Sequence, residues 1–435
     1  MHKIMDKKEL LLILDEWNFW DKDLATGVKR DLYLGLLEKK LPSELIKVIT
    51  GARRSGKSYI MRQMIEWLIR AKGANRTNIL MVNFEDPRFI NPDTDLLEQI
   101  FGLYLETYNP KGPIYVFLDE IQEALGWEKW LRSMQELGKA NLIISGSNSK
   151  LLSGELATSL TGRHIDTEVL PLSFSEFLRF KKTELASNSA EMFDEYLQFG
   201  SFPLIINLEK EQDKKAALLS YYDDIVSKDL VKRYRIRKTE EIKSLARFYL
   251  SNISNPITFN SSGKSLGIST ISTERFSSYL EKSYLLFFLK RFSFKSKEQE
   301  KSPRKVYAID TGLANAIGFQ FSGNSGRMAE NLVFLELKRR TITNNFLEIY
   351  YWKSIAHEEV DFVVKDKNSV KELIQVCWNP NETNTKKREV KSLLKAMKEF
   401  RLETGLIITG GYEGVEEYGG KQIRYVSLPK WLLGS

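Results

Sequence analysis

Cysteine is nearly missing from this chain: Cys377 is its only one, and only three histidines accompany it among 435 residues. A lone thiol excludes an intrachain disulfide, and so few cysteines and histidines exclude a Cys/His zinc site. A reducing, cytoplasmic setting is therefore expected. Long apolar runs are missing as well. The stretch Leu10-Leu-Leu-Ile-Leu14 meets Asp15 and Glu16 too soon for a secretory core, and no run approaches the ~18 residues of a membrane span. Neither a targeting signal nor a membrane partner is expected, and no internal repeat is visible.

The composition that remains, 42% hydrophobic and 28% charged, is that of a globular protein. At 435 residues the chain is expected to hold two to three domains, since one core rarely grows past roughly 250 to 300 residues. A net charge of +8 is modest, but it is unevenly spread. Lys228, Lys232, Arg233, Arg235, Arg237, Lys238, Lys243 and Arg247 face only Asp229, Glu240 and Glu241, and a second basic cluster runs from Lys290 to Lys305. Such blocks are either solvated faces or contacts for a phosphate backbone.

The most informative stretch is Gly51-Ala52-Arg53-Arg54-Ser55-Gly56-Lys57-Ser58. It lies between the apolar run Ile46 to Thr50 and a helix-patterned run from Tyr59 to Arg70, the strand, loop and helix of a phosphate-binding P-loop. Glycine is needed where the chain turns tightly enough for consecutive N–H groups to point at one anion, and the helix adds its positive end. These eight residues and Tyr59 are the expected site for a nucleoside triphosphate. Lys57 would reach its β- and γ-phosphates and Ser58 would ligate Mg2+.

Farther on, Ile114-Tyr-Val-Phe-Leu118 ends in Asp119 and Glu120, the form of a Walker B strand. A run this apolar buries a central parallel strand on both faces, so the first carboxylate past its end falls beside the metal. Asp119 is the expected metal partner, and Glu120 is placed to polarise an attacking water. Hydrolysis is favoured over simple binding.

From Ile46 to about Leu170, strands at Ile46 to Thr50, Ile79 to Phe84, Ile114 to Leu118, Leu142 to Ser145 and Ile165 to Val169 alternate with helices. That pattern predicts an α/β, doubly wound parallel sheet with ligands at the strand carboxyl ends. Past the fourth strand, Ser147 or Asn148 is a candidate sensor of the γ-phosphate, with ordinary turn chemistry as the other reading. Arg163, before the last strand, is a candidate arginine finger acting in cis or from a neighbouring subunit, or else a surface arginine.

Asn18-Phe-Trp20, the octet from Gly51 to Ser58, Leu118-Asp-Glu-Ile-Gln122, Ser145-Gly-Ser-Asn148, Leu160-Thr-Gly-Arg163 and Leu170-Pro-Leu-Ser-Phe-Ser-Glu-Phe177 occur in this order. Together they resemble the predicted archaeal and bacterial AAA-type ATPases, relatives of origin-recognition and STAND-type ATPases. The similarity continues through Gly200-Ser-Phe-Pro203, where Ser201 stands for a usual second glycine, and Asp223 to Asp229. It covers nearly the whole chain and implies the AAA fold, ATP as the nucleotide and ATPase activity.

Between Glu240 and Asp310 the pattern reads helix, helix, hairpin. Leu266-Gly-Ile-Ser269 supplies a turn and an N-cap, and the helix from Thr270 to Leu285 carries Ile271, Phe276, Tyr279, Leu280 and Tyr284. This is a helix-turn-helix signature. Strands Leu286 to Phe294 and Lys305 to Ile309 would form a wing whose Lys295, Lys297, Lys301, Arg304 and Lys305 meet phosphates, giving duplex DNA as the expected partner, with protein contact or a rigid lid on the ATPase as the other uses of a winged helix.

The last part reads helix (Arg327 to Arg340), strands Leu347 to Lys353, Glu359 to Val364 and Glu372 to Cys377, helix (Thr385 to Phe400) and strand Thr404 to Ile408. This order resembles the restriction-endonuclease-like core, which implies an acid on the first helix, here Glu330, an Asp such as Asp361, and a Glu-x-Lys on the next strand. Gln375-Val-Cys377 stands at that last position, so Lys371 or Lys338 would have to act from elsewhere. A degenerate domain used for binding or structure is expected, with no nuclease activity.

The expected organisation is a helical lead-in over 1–40, an ATPase core with helical lid over 41–235, a winged helix over 236–312 and the nuclease-like domain over 313–435. The expected activity is Mg2+-dependent ATP hydrolysis associated with DNA, with nucleotide-dependent homo-oligomers. A STAND-like switch without DNA binding and an ATP-regulated nuclease are the alternatives.

Overall fold

The computed structural model describes residues 5–146, 162–182, 189–318 and 325–434. The chain forms two compact units, Met1–Leu170 and Pro171–Ser435.

In the first unit, β1 (Ile46–Gly51), β2 (Ile79–Asn83), β3 (Tyr115–Asp119), β4 (Asn141–Gly146) and β5 (His164–Val169) form one sheet. All its pairings are parallel, and the order is β2-β3-β4-β1-β5. Around it run α1 (Lys7–Trp17), α2 (Asp31–Lys40), α3 (Lys57–Arg70), α4 (Thr94–Tyr108) and α5 (Trp127–Glu136). β2, β3 and β4 are apolar at consecutive positions because helices cover both faces, whereas the outer strand β5 carries Asp166 and Glu168. One core joins Val48, Leu80, Val82, Val116, Leu118 and Ile144 to Leu10, Ile13 and Leu14 of α1 and to Phe101, Tyr104 and Trp130. The lead-in is thus part of this core. Asn18 fixes it: its amide donates to Leu14 O at 2.7 Å and Met81 O at 2.8 Å and accepts from Met81 N at 2.7 Å. Trp20 Nε1 donates to Ile79 O at 2.8 Å.

The second unit opens with the helices Phe174–Phe180, Ser189–Phe199 and Glu211–Asp224 and the π-helical turns Ile225–Lys232. The segment expected as a lid on the ATPase core therefore falls within this unit. Phe174, Phe177, Phe193 and Tyr196 pack ring on ring, and the buried Asp310 carboxylate accepts from Ser201 N at 2.6 Å and Ser201 Oγ at 3.0 Å. Gly200 makes that approach possible, having φ 77°, and a Cβ there would lie 2.0 Å from Asp310 Oδ1.

Next come the helix Thr239–Ser251, β6 (Pro256–Ile257), the helices Phe259–Leu266 and Thr270–Lys282, β7 (Leu286–Leu289) and β8 (Arg304–Ala308), with the antiparallel sheet order β6-β8-β7. Ser269 caps the last helix by accepting from Ser272 N, as its position suggested. Three expectations are corrected. The strand stops at Leu289 because Tyr351 takes over the pairing, donating its N–H to Lys290 O at 3.1 Å and accepting from Phe292 N at 2.6 Å. The charged loop holds a short helix, Ser296–Lys301. Ile271 faces solvent at 79% exposure, while Phe276 and Leu280 are buried.

The unit ends with the helix Ser325–Thr343, β9 (Leu347–Lys353), β10 (Glu359–Asp366), β11 (Ser369–Val376), the helix Thr383–Phe400, β12 (Thr404–Thr409), β13 (Gly414–Tyr418) and β14 (Lys421–Ser427). The sheet order is β13-β14-β12-β11-β10-β9, with β11, β12 and β14 parallel and the remaining pairs antiparallel. The hairpin of β13 and β14 was not read from the sequence. No helix among the described residues is long and apolar enough to cross a membrane.

Candidate functional site

β1 lies between β4 and β5, so the loop leaving its carboxyl end rises from the middle of the sheet. Gly51 starts that loop at φ 145°, and a Cβ there would stand 2.1 Å from Val169 O of β5. Only glycine allows this approach. Arg54 and Gly56 are left-handed, at φ 67° and 97°, and α3 begins at Lys57 with Gly56 as its N-cap. The predicted strand-loop-helix from Gly51 to Ser58 is therefore formed. Ala52 and Ser55 are buried, Arg53 donates to Glu85 Oε1 at 2.6 Å, and Tyr59 is 47% exposed beside Gly27.

Lys57 Nζ donates to Gly51 O at 3.2 Å and Ala52 O at 3.3 Å and stands 3.5 Å from Glu120 Oε1. It is thus curled over its own loop. Asp119, the last residue of β3, is buried and accepts from Ser145 Oγ. Burial and the neighbouring Glu120 push the Asp119 carboxyl up, while the hydroxyls of Ser145 and Ser58 work against that rise. The hydroxyl and carboxylate expected to share Mg2+ are therefore in contact. Glu120 turns left-handed at φ 50°, accepts from the amide of Gln122, and donates its backbone N–H to Ser145 Oγ at 3.3 Å.

The structure brings Lys57, Ser58, Asp119 and Glu120 together at one end of the sheet. Ser147 and Asn148 lie outside the described residues. Arg163 lies at the other end: β1 and β5 run in register from Ile46 beside His164 to Gly51 beside Val169, and Arg163 O accepts from Ile46 N. Its guanidinium pairs with Glu136. At ~3.3 Å per residue, the length of β1 separates it from the loop, so a role in cis does not fit.

Two supporting residues escaped the sequence reading. Arg30 is 1% exposed and donates from Nη1 to Ser55 O at 2.8 Å and from Nη2 to Leu170 O at 3.1 Å. It ties the P-loop to the end of the unit, yet it carries no motif. Ser145 bridges Asp119 and Glu120; it belongs to the Ser145-to-Asn148 segment, in which Ser147 and Asn148 are the sensor candidates.

A second polar centre lies wholly within the second unit, at a cavity of about 640 Å³ lined in part by Lys305, Glu330, Glu359, Asp361, Gln375 and Glu389. Glu330, Asp361 and Gln375 line this one cavity. Gln375 Oε1 accepts from Asp361 N at 3.2 Å, and its Nε2 donates to Glu389 Oε2 at 2.7 Å. Cys377 is buried, its thiol pushed up to about 11 by burial. Lys371 faces solvent, and Lys338 lies over the Phe287 ring. The cation seated among Glu330, Glu359 and Asp361 is Lys305, one assigned to a wing.

Lys305 Nζ stands 2.7 Å from Asp361 Oδ1, 3.0 Å from Glu330 Oε1 and 2.9 Å from Glu359 Oε1, with its side chain 2% exposed. It therefore offers nothing to an outside phosphate, which corrects the expectation. Burial alone would lower its pKa, but Asp361, Glu330 and Glu359 hold it well above the usual value. Glu330 remains the surplus carboxyl, pushed up to about 8 by burial and by Asp361 despite the ammonium and the Tyr307 hydroxyl.

Comparison with known families places an AAA domain over residues 43–178, a domain of unknown function (DUF8612) over 190–325 and another (DUF4143) over 325–431. The uncharacterized protein MJ1544 of Methanocaldococcus jannaschii is 39% identical over 431 residues, covering 95% of this chain and 92% of that protein. An uncharacterized protein of Haemophilus influenzae is 31% identical over 416 residues, covering 93% and 98%. Among solved structures, AMPPCP-bound DnaA from Aquifex aeolicus matches at 14% identity and TM-score 0.31, over 61% of this chain and 93% of DnaA. The chain belongs to the family of these two full-length relatives, and its residues 43–178 form an AAA-type P-loop ATPase domain.

Proposed function

We propose that the first unit binds ATP with Mg2+ and hydrolyses it. The observation that carries this reading is the meeting of Lys57, Ser58, Asp119 and Glu120 around the Gly51-to-Ser58 loop. Amides of the loop and the Lys57 ammonium grip the phosphates. The Ser58 hydroxyl and Asp119 carboxylate suit Mg2+, which takes few protein oxygens and keeps water and phosphate as its other ligands. Bound there, Mg2+ would neutralise charge on the transferred phosphoryl group. Glu120 orients the attacking water and takes its proton. Ser147 or Asn148 would sense the γ-phosphate, and Arg163 could act only on a neighbouring subunit's nucleotide.

The order helix, strand, helix, helix, strand, strand with the sheet β6-β8-β7 favours a winged helix, and with it duplex DNA as a partner. Its basic loop is less available than its composition implied. Lys290 and Arg304 pair with Glu300, Lys295 with Glu298, and Lys305 points inward. The surface pairs are weak enough to exchange for phosphates, and the helix Thr270–Lys282 presents Arg275 to solvent.

Steady-state ATP turnover of wild type and Lys57→Ala, with and without duplex DNA at two salt concentrations, tests both parts. Turnover that needs Lys57 supports the ATPase, and stimulation by DNA that fades with salt supports the association. Turnover that needs Lys57 but ignores DNA favours a nucleotide-controlled scaffold; turnover indifferent to Lys57 overturns the reading.

A further inference from the structure

We infer that Lys305 is the resident cation of the second unit's polar centre, its ammonium standing where Glu330, Glu359 and Asp361 would otherwise hold a divalent metal ion. An ammonium has three N–H donors, and three carboxylates lie within 3.0 Å of this one. The lysine is also fixed from behind. β8 pairs with Leu289 of β7 on one side and Pro256 of β6 on the other at this residue. Lys305 is thus built into a sheet and reaches its partners as a plug.

The neighbouring acceptors are engaged as well. Asp361 Oδ2 accepts from Val376 N at 2.9 Å, Glu359 Oε2 from Lys353 at 3.0 Å, Glu330 from the Tyr307 hydroxyl at 2.7 Å, and Glu389 from Arg388 and Gln375. Among the described residues no group of three or more His, Cys, Asp or Glu is arranged to hold a metal ion. The metal expected of a restriction-endonuclease-like core therefore does not fit this chain. Gln375 and Cys377 provide neither the second carboxylate nor the usual lysine, and the carboxylates that remain are neutralised from within.

The substitution of ammonium for metal makes a gain-of-binding prediction. Around the ammonium the three carboxylates are not spaced as metal ligands; with Lys305 removed they can close, at the edge of a cavity of about 640 Å³, on a hard divalent cation such as Mg2+ or Mn2+. The full chain carrying Asp119→Asn, free of nucleotide, removes the P-loop carboxylate from the measurement. Mn2+ binding is read by the loss of the free-ion electron paramagnetic resonance signal and by the shift in melting temperature.

The parent with Lys305 is expected to leave both readouts unchanged. Lys305→Met is expected to take up about one Mn2+ per chain and to melt higher with it, and adding Asp361→Asn is expected to abolish both effects. Stripping a buried cluster of its cation can prevent folding, so Lys305→Gln, whose amide still donates to the cluster and which keeps all three carboxylates, serves where Lys305→Met does not fold. Mn2+ binding by the parent that is lost in Asp361→Asn overturns the inference. So does a folded variant without Lys305 that gains no binding.

Discussion

Lys57 and Glu120 form a buried ion pair, Nζ to Oε1 3.5 Å, in which the cation assigned to the phosphates holds the carboxylate assigned to water. On the proposed reading, arriving phosphates would compete with Glu120 for the same ammonium, so nucleotide binding would release the carboxylate. Glu120→Gln is expected to keep ATP binding and to lose at least ~100-fold in turnover. Equilibrium binding of a fluorescent ATP analogue and phosphate release measure the two; near wild-type turnover removes Glu120 from this role.

Ser145 donates to Asp119 and accepts from the Glu120 backbone, so one hydroxyl ties the proposed metal ligand to the backbone of the proposed base. Ser145→Ala should cost about 1–2 kcal/mol of stability and lower turnover roughly 10-fold, with ATP affinity less affected. Urea unfolding and kcat against KM separate the effects. Unchanged kcat would make the hydroxyl structural only.

Asn18 is 1% exposed and makes three hydrogen bonds to backbone. Asn18→Ala strands the Met81 amide and should destabilise the first unit by about 2–4 kcal/mol. Denaturant melts followed on a nucleotide-responsive signal read this unit alone. A change under ~0.5 kcal/mol would contradict the role given to the motif.

Asp310 supplies a pH signature. Burial raises its carboxyl from 3.8 to about 6 despite the Ser201, Leu313 and Gly312 donors. A raised carboxyl favours the folded chain while protonated, so this contribution is whole below pH 3.8 and is lost as pH rises through about 6. Between those limits the stability of wild type relative to Asp310→Asn should fall by about 3 kcal/mol, whatever the variant's absolute stability. Parallel melts across that range measure it, and a flat difference excludes the shift.

The five parallel strands and the Gly51-to-Ser58 loop were legible because their signals are local: short apolar runs, a glycine turn, and acids one residue past a strand. Arg30 and Lys305 were not, because each acts through a contact far along the chain with no motif to announce it. Lys305 sits in a basic run, so its charge suggested a surface, whereas β8 is buried at every position from Lys305 to Ala308. The β13–β14 hairpin was missed because Glu416, Glu417, Lys421 and Arg424 dilute its apolar alternation. The division at Leu170 was hidden for another reason: the aromatic helices after it look equally able to cover the ATPase sheet.

The contacts of Asn18 and Trp20 have a consequence for association between molecules. They occupy Met81 and Ile79 on β2, one outer strand of the sheet, and Lys40 reaches Asp166 O on β5, the other. Backbone groups that would template an incoming strand are taken by side chains of the same molecule, a guard against edge-to-edge aggregation. Copies of this domain that associate would therefore meet through side-chain surfaces rather than by extending the sheet.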